Sequence, residues 1–257
     1  MSGKNPFLGL GFGSPFTTFA RTSGGLVTDG LLIYLDAGNT DSYSGSGDNW
    51  IDLSGNNYHM SLKNSPTFTT FSGAPCFDLD GSDDYGVCDG TVPGSTSATA
   101  TNLGVDGAKE KTVVCVACVD NFVQDDSAAL FELGNGHVNG QHFSLRLRNS
   151  FIGWRAQFWG PADYDFDYDT RAKWTMFSVV YGSDKIGKTY RDNGVLLGQD
   201  DGPVDLTTGG PRPFTMGRYD DRLYFGGKIG LYLVYNKGLT VQEIQRNYEI
   251  FKDRFGI

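Results

Sequence analysis

The run PADYDFDYDT places Asp163, Asp165, Asp167 and Asp169 at every second residue. In an extended strand these four carboxylates share one face, and Tyr164, Phe166 and Tyr168 share the other. Four like charges in a row repel, so the run is either a solvated loop or a site for a hard cation of the Ca²⁺ type. A second acidic run, CFDLDGSDDYGVCDG at residues 76–90, fails as a calcium-binding helix–loop–helix. Counted from Asp78, its Gly falls at the fourth position instead of the sixth, and Asp89 stands where a Glu is needed. Alternating polarity in CFDLD, turn residues in GSDD and a resumed YGVC predict a hairpin with an acidic tip. Asp-Asp pairs recur at 125–126, 200–201 and 220–221, each near a turn signal. Asp bonds its own backbone in turns, so these pairs need no metal.

Other chemistry is sparse. Cys115 and Cys118 form a CxxC, but within a strand their side chains point to opposite faces, so they neither chelate one ion nor act as a redox pair. Cys76 and Cys88 would face each other across the expected hairpin, which leaves both a disulfide and two free thiols open. His59, His137 and His142 lack metal-protease spacing, and HVNGQH reads as a turn. No phosphate-cradling loop or nucleophile elbow is present. Trp154, Phe158, Trp159, Tyr164 and Tyr168 are either sugar-stacking platforms or core residues of a sandwich.

The chain that must position these groups has 257 residues, 39% hydrophobic, enough for one sizeable core. Of its 30 acidic residues four are Glu (Glu110, Glu132, Glu243, Glu249) and 26 are Asp, and there are 36 Gly, a composition of many turns and few helices. A net charge of −9 argues against a nucleic-acid partner, and no apolar run has the length of a membrane span. No secretion signal is read, so free thiols and assembly in a cytoplasm are expected.

Residues 1–25 carry Lys4 and Arg21 and no acid. Phe7, Phe12, Phe16 and Phe19 sit there among glycines with no period. Such a segment is either a loose terminus or an arm that anchors to a partner surface. From residue 26 onward strands alternate with turns. TVVCVACV reads as a strand covered on both faces, and Asn193-Gly194 as a two-residue hairpin turn. Thr240 and Glu243 form a capping box ahead of Val241, Ile244, Tyr248, Phe251 and Phe255, the apolar stripe of one helix. The expected fold is all-β, a two-sheet sandwich with one short C-terminal α-helix.

The segments FDLDGSDDYGV, GLLIYLDAGN, WIDLSGNNYHMSL, KWTMFSVVY, YRDNGVLLG and GKIGLYLVYNKGLTVQEIQRNYE resemble the laminin-G-like jelly rolls of the concanavalin A-like lectin/glucanase superfamily, in the expected order over residues 26–257. The opening GLVTDGLLIYLDAGNTDSYSGSGDNWIDLSG and the closing RFGI resemble virion proteins of tailed phages that carry this module. The resemblance implies a concanavalin A-like jelly roll. Its catalytic members carry Glu-x-Asp-x-x-Glu on a strand, and none of the four glutamates here fits. The expectation is therefore a non-enzymatic virion structural protein, a capsid or tail decoration or fibre module. Its N-terminal arm (residues 1–25) would join it to other virion proteins, in an oligomeric assembly within the virion. The alternative is a glycan-binding adhesion module for cell-surface sugars, with Ca²⁺ as the one cofactor in view; a polysaccharide hydrolase is the weaker alternative.

Overall fold

The computed structural model describes residues 24–120, 128–148, 152–160 and 162–257. Two antiparallel sheets face each other. In the first, the order across the sheet is β14 (Val195–Gln199), β13 (Gly187–Arg191), β12 (Thr175–Tyr181), β7 (Lys111–Val119), β18 (Gly226–Tyr235), β5 (Ala74–Asp80) and β4 (Thr67–Phe71), with β1 (Leu31–Asp36) also on β18. In the second it is β11 (Tyr164–Asp167), β10 (Gly153–Gln157), β9 (His142–Arg148), β8 (Ala129–Gly134), β15 (Thr215–Met216), β6 (Tyr85–Val87), β3 (Met60–Lys63) and β2 (Asn49–Trp50). A small hairpin, β16 (Arg218–Tyr219) with β17 (Leu223–Tyr224), stands apart from both.

Two cores explain the strand sequences. The central one, between the sheets, holds Phe77, Phe131, Phe143, Trp154, Phe177 and Tyr232. The second lies between the outer face of the first sheet and α1 (Val241–Phe255), and includes Val114, Val116, Leu231, Leu233, Ile244, Phe251 and Phe255. With apolar material on both sides, every residue of β7 is buried, the reason its sequence does not alternate. Cys115 faces the central core and Cys118 the outer one, and all four cysteines are buried and free. The helix begins as expected: the Thr240 hydroxyl accepts from the Glu243 amide, and the Glu243 carboxylate accepts from the Thr240 amide. Gly256 closes it in the left-handed conformation.

Two local expectations need correction. The acidic run at 76–90 is not a hairpin, because β5 belongs to the first sheet and β6 to the second. The GSDD turn carries the chain across the sandwich. Alternation and turn chemistry look the same whether a reversal stays in one sheet or changes sheets. This places Cys76 and Cys88 on different sheets. The β13–β14 loop has three residues, since Arg191 pairs with Val195 and Asp192 as well as Gly194 has positive φ. Among the described residues no helix is long and apolar enough to cross a membrane. Phe7, Phe12, Phe16 and Phe19 lie outside the described residues.

Candidate functional site

Strands β8 to β11 alternate, and the alternation sorts their side chains by face. Phe143, Leu145 and Leu147 of β9, Trp154 and Ala156 of β10 and Phe166 of β11 point into the central core. The residues between them therefore point outward, and in register they form polar rows. Thr215, Glu132, Ser144 and Gln157 are successive cross-strand partners in one row. Arg146, Arg155 and Asp165 form the next. Arg148, Gly153 and Asp167 form a third, and His142 opposes Gly134 beyond the first.

Three turns close over the His142 end of this face. Trp159, half-buried and with φ +60, stacks on Tyr219 at 6.4 Å between ring centroids with only 17° between planes. A positive φ on a bulky aromatic is a costly conformation that the surroundings must enforce. His137 lies edge-on to Trp159 at 4.4 Å and its Nε2 is 2.6 Å from Asp220 Oδ2. The Arg146 guanidinium sits over the Tyr219 ring at 5.5 Å. Around the small hairpin, Arg212 reaches Glu132 (3.5 Å), Asp220 (3.1 Å) and Asp221 (3.1 Å).

Burial sets the electrostatics here. Burial raises the Glu132 carboxyl to about 7, against the opposing pull of the Asp220 amide and of Arg212. His142 is fully buried, and burial followed by the charge of Arg146 lowers it to about 3, so its ring is neutral at physiological pH. Neither ring nitrogen of His142 has a hydrogen-bond partner, and neither does Oε1 of Gln157, which is 5% exposed. Both belong to this one face. A buried polar atom without a partner costs about 1–3 kcal/mol, a cost that a bound polyol can offset.

The residues expected to bind glycan or metal are dispersed. Trp154 is wholly buried in the core, its indole N–H donating to the Tyr168 carbonyl at 3.0 Å, so no face of its ring is open to a sugar. Tyr164 packs against the core, with its hydroxyl 2.8 Å from Thr189. Tyr168 lies at the opposite end, with Lys173 and Arg191 over its ring. Of the four, Trp159 is the one at the polar face. The aspartates of 163–169 have separate partners: Asp163 accepts from the Phe158 amide at 2.7 Å, Asp165 is bidentate with Arg155 (2.5 and 2.8 Å), and Asp169 pairs with Arg171 at 2.7 Å. Arg155 holds Asp165 below the usual carboxylate range, chiefly through that hydrogen bond. Asp163, Asp165, Asp167 and Asp169 are strung along β11 and its flanks and do not converge on one point.

Among the described residues the carboxylates that converge are Asp80, Asp83 and Asp84. They are turn residues: Asp80 accepts from the amides of Ser82 and Asp83, and Asp84 accepts from that of Asp80. A hollow of about 650 Å³ lies away from the polar face, beside Lys109, Glu110, Lys185 and Lys237. Its amines already bond Asp106, Asp205, Asp29 and Glu243. The polar face was legible in HFSLRLR, where His142, Ser144, Arg146 and Arg148 alternate with apolar residues. A polar half-strand reads as solvated surface unless its burial is known.

No protein-family model and no curated protein sequence matches the chain. Solved structures do. A mutant of Trypanosoma rangeli sialidase displaying trans-sialidase activity is 18% identical with a TM-score of 0.60, over 89% of this chain and 34% of that one. The T. rangeli sialidase in complex with sialic acid is 14% identical with a TM-score of 0.59, over 87% and 33%. The botulinum neurotoxin serotype D ligand binding domain, in complex with N-acetylneuraminic acid, is 16% identical with a TM-score of 0.59, over 86% and 51%. The chain thus spans about a third of the sialidases and half of the toxin domain. At this identity the likeness is one of fold. It corrects the expectation of a non-enzymatic virion structural protein. The structures matched above are sialidases, which are enzymes, and a toxin's ligand-binding domain.

Proposed function

We propose that the chain is a glycan-binding β-sandwich of the lectin-like, concanavalin A-like kind, and that the outward face of β8–β11 receives the sugar. The observation that carries this reading is the convergence there of a half-buried ring, Trp159, stacked on the buried Tyr219, with buried polar groups lacking partners, His142 and Gln157. Sugars present apolar ring faces edged by hydroxyls, and an aromatic ring beside donors and acceptors complements both. The sialic acid and N-acetylneuraminic acid bound in similar structures support the ligand class. Screening the chain on a glycan array tests it. Binding should appear and should weaken about tenfold in Trp159→Ala, since stacking is worth ~0.5–1.5 kcal/mol beyond the area it buries. An array without signal would overturn the reading.

Glycoside hydrolysis is the second reading, favoured by Glu132. A carboxyl still protonated near pH 7 is the form a general acid needs. Release of sugar from a fluorogenic sialoside, abolished in Glu132→Gln, would establish it; no release would exclude it for that substrate.

A further inference from the structure

We propose that the β16–β17 hairpin is a hinged lid over the His142 end of the polar face, held shut by an ionic clasp at its tip, and that a ligand enters when the clasp opens. The lid is read from the hairpin's own contacts; only the role given to it rests on the glycan reading. Residues 218–224 pair with neither sheet, and of their side chains Tyr219 alone is buried. The Phe225 amide ties the neck by donating to the Gly217 carbonyl at 2.9 Å, and the Phe225 ring is rooted in the central core. Gly217, with φ +72, and Gly227, with φ +152, lie on the two arms of that neck, so each arm has a residue able to change φ at little cost.

The tip is held by charge. Asp220 pairs with His137 at 2.6 Å and with Arg212 at 3.1 Å, and Asp221 pairs with Arg212 at 3.1 Å. The Asp220 amide donates to Glu132 at 3.2 Å. The side chains of His137 and Asp221 are 50 and 58% exposed, a setting in which ion pairs are weak and salt screens them. Four of the eleven non-glycine residues with positive φ among the described residues meet at this closure: His137, Trp159, Asp220 and Asp221. Such conformations persist only where their surroundings enforce them, and they gather at ligand clamps and switches. A segment with one buried side chain and a solvent-washed clasp belongs to the part of a fold that opens before the rest.

What the lid covers has a use only when it lifts. The Tyr219 ring stands edge-on to His142 at 5.5 Å and stacks on Trp159. Withdrawing it uncovers the two ring nitrogens of His142, which have no partner in the closed form, and the Glu132 carboxyl, which is 1% exposed. A neutral imidazole offers one donor and one acceptor, the pair a sugar hydroxyl completes. The same movement frees one face of the Trp159 indole for a sugar ring. Binding therefore selects the open form, and its rate follows how often the lid is open.

Hydrogen exchange read by mass spectrometry on the full chain, at one fixed pH, tests the lid. Amides of residues 218–224 should exchange faster than those of β8 and β9 in the wild type. They should exchange about tenfold faster again in Asp220→Asn, which suits the same turn without the charge, with β8 and β9 unmoved. Wild type in about 1 M salt should show the same gain and needs no substitution. Diethyl pyrocarbonate, which acylates a neutral imidazole, should modify His142 at a rate that rises in parallel. Hairpin amides that exchange at the rate of the strands beneath them, in every condition, overturn the lid. Sialyllactose should associate severalfold faster with Asp220→Asn than with the wild type. Equal association rates beside a changed hairpin exchange overturn the gating role and leave the lid. An opening lid on a chain that binds neither sialyllactose nor any array glycan overturns the glycan reading alone.

Discussion

Two buried ionisable residues make opposite contributions to stability, and both can be read out by pH. Glu132 is raised by burial from an ordinary carboxyl to about 7. Between its unfolded and folded values the native state holds the extra proton, so stability falls as pH rises from 4.5 to 7. Glu132→Gln should flatten that slope, which over the full window is worth on the order of 3 kcal/mol at most. Lys111, 1% exposed and donating to the Gly107 carbonyl and the Thr208 hydroxyl, is lowered by burial to about 7. Here the unfolded state holds the extra proton, so stability rises with pH from about 7 to 10.5. Lys111→Met should lose that rise. Urea titrations at pH 5, 7 and 9 check both, and a pair of variants with the wild-type slope in each window would refute the burial argument. Neither residue was marked by its neighbours in sequence, because burial at a strand position depends on which loops fold over it.

At the scale of elements the chain was far more legible. The capping box, the 3.6-residue stripe and the closing glycine specify α1 without reference to anything distant. Thr240→Ala should cost about 1 kcal/mol, seen as a lower urea midpoint at unchanged slope. Strand existence was equally plain in TVVCVACV, HFSLRLR and GKIGLYLVY, where β-branched and alternating apolar residues leave little choice. Partnership was not. The acidic turn of residues 81–84 changes sheets, and nothing in CFDLD or YGVC distinguishes a partner across the turn from one arriving a hundred residues later. Core rings and surface rings among the candidate sugar-stacking residues could not be told apart for the same reason. Trp154 and Trp159 lie five residues apart in a run of aromatics, yet the pleat sends one into the core, while a positive-φ turn leaves the other half-exposed. Asp163, Asp165 and Asp167 do alternate as the spacing implied, but the arginines that answer Asp163 and Asp165 come from β9 and β10 and form a surface rather than an ion cage.

For the whole molecule, the decisive feature is that the first sheet is covered on both sides, and this fixes the behaviour of its thiols. Cys115 and Cys88 belong to the central core; Cys76 and Cys118 to the core beneath α1. None is more than 1% exposed. Burial raises all four thiols, those of Cys76 and Cys118 to about 12 and about 11. A thiol reacts as its thiolate, so the folded protein should be doubly protected, by access and by protonation. A thiol-titrating disulfide reagent at pH 8 should therefore find almost no reactive group in the native chain and four after denaturation. Because the second core is built against a single helix, weakening that helix should release its thiols first. In Thr240→Ala, or more strongly in Phe255→Ala, which removes a ring buried against Trp174 and should cost about 3–5 kcal/mol, Cys76 and Cys118 should label faster than Cys88 and Cys115. Mass spectrometry of the labelled peptides distinguishes the pairs. Labelling of all four at one common rate in the helix variants would mean that the two cores open together, as one cooperative unit.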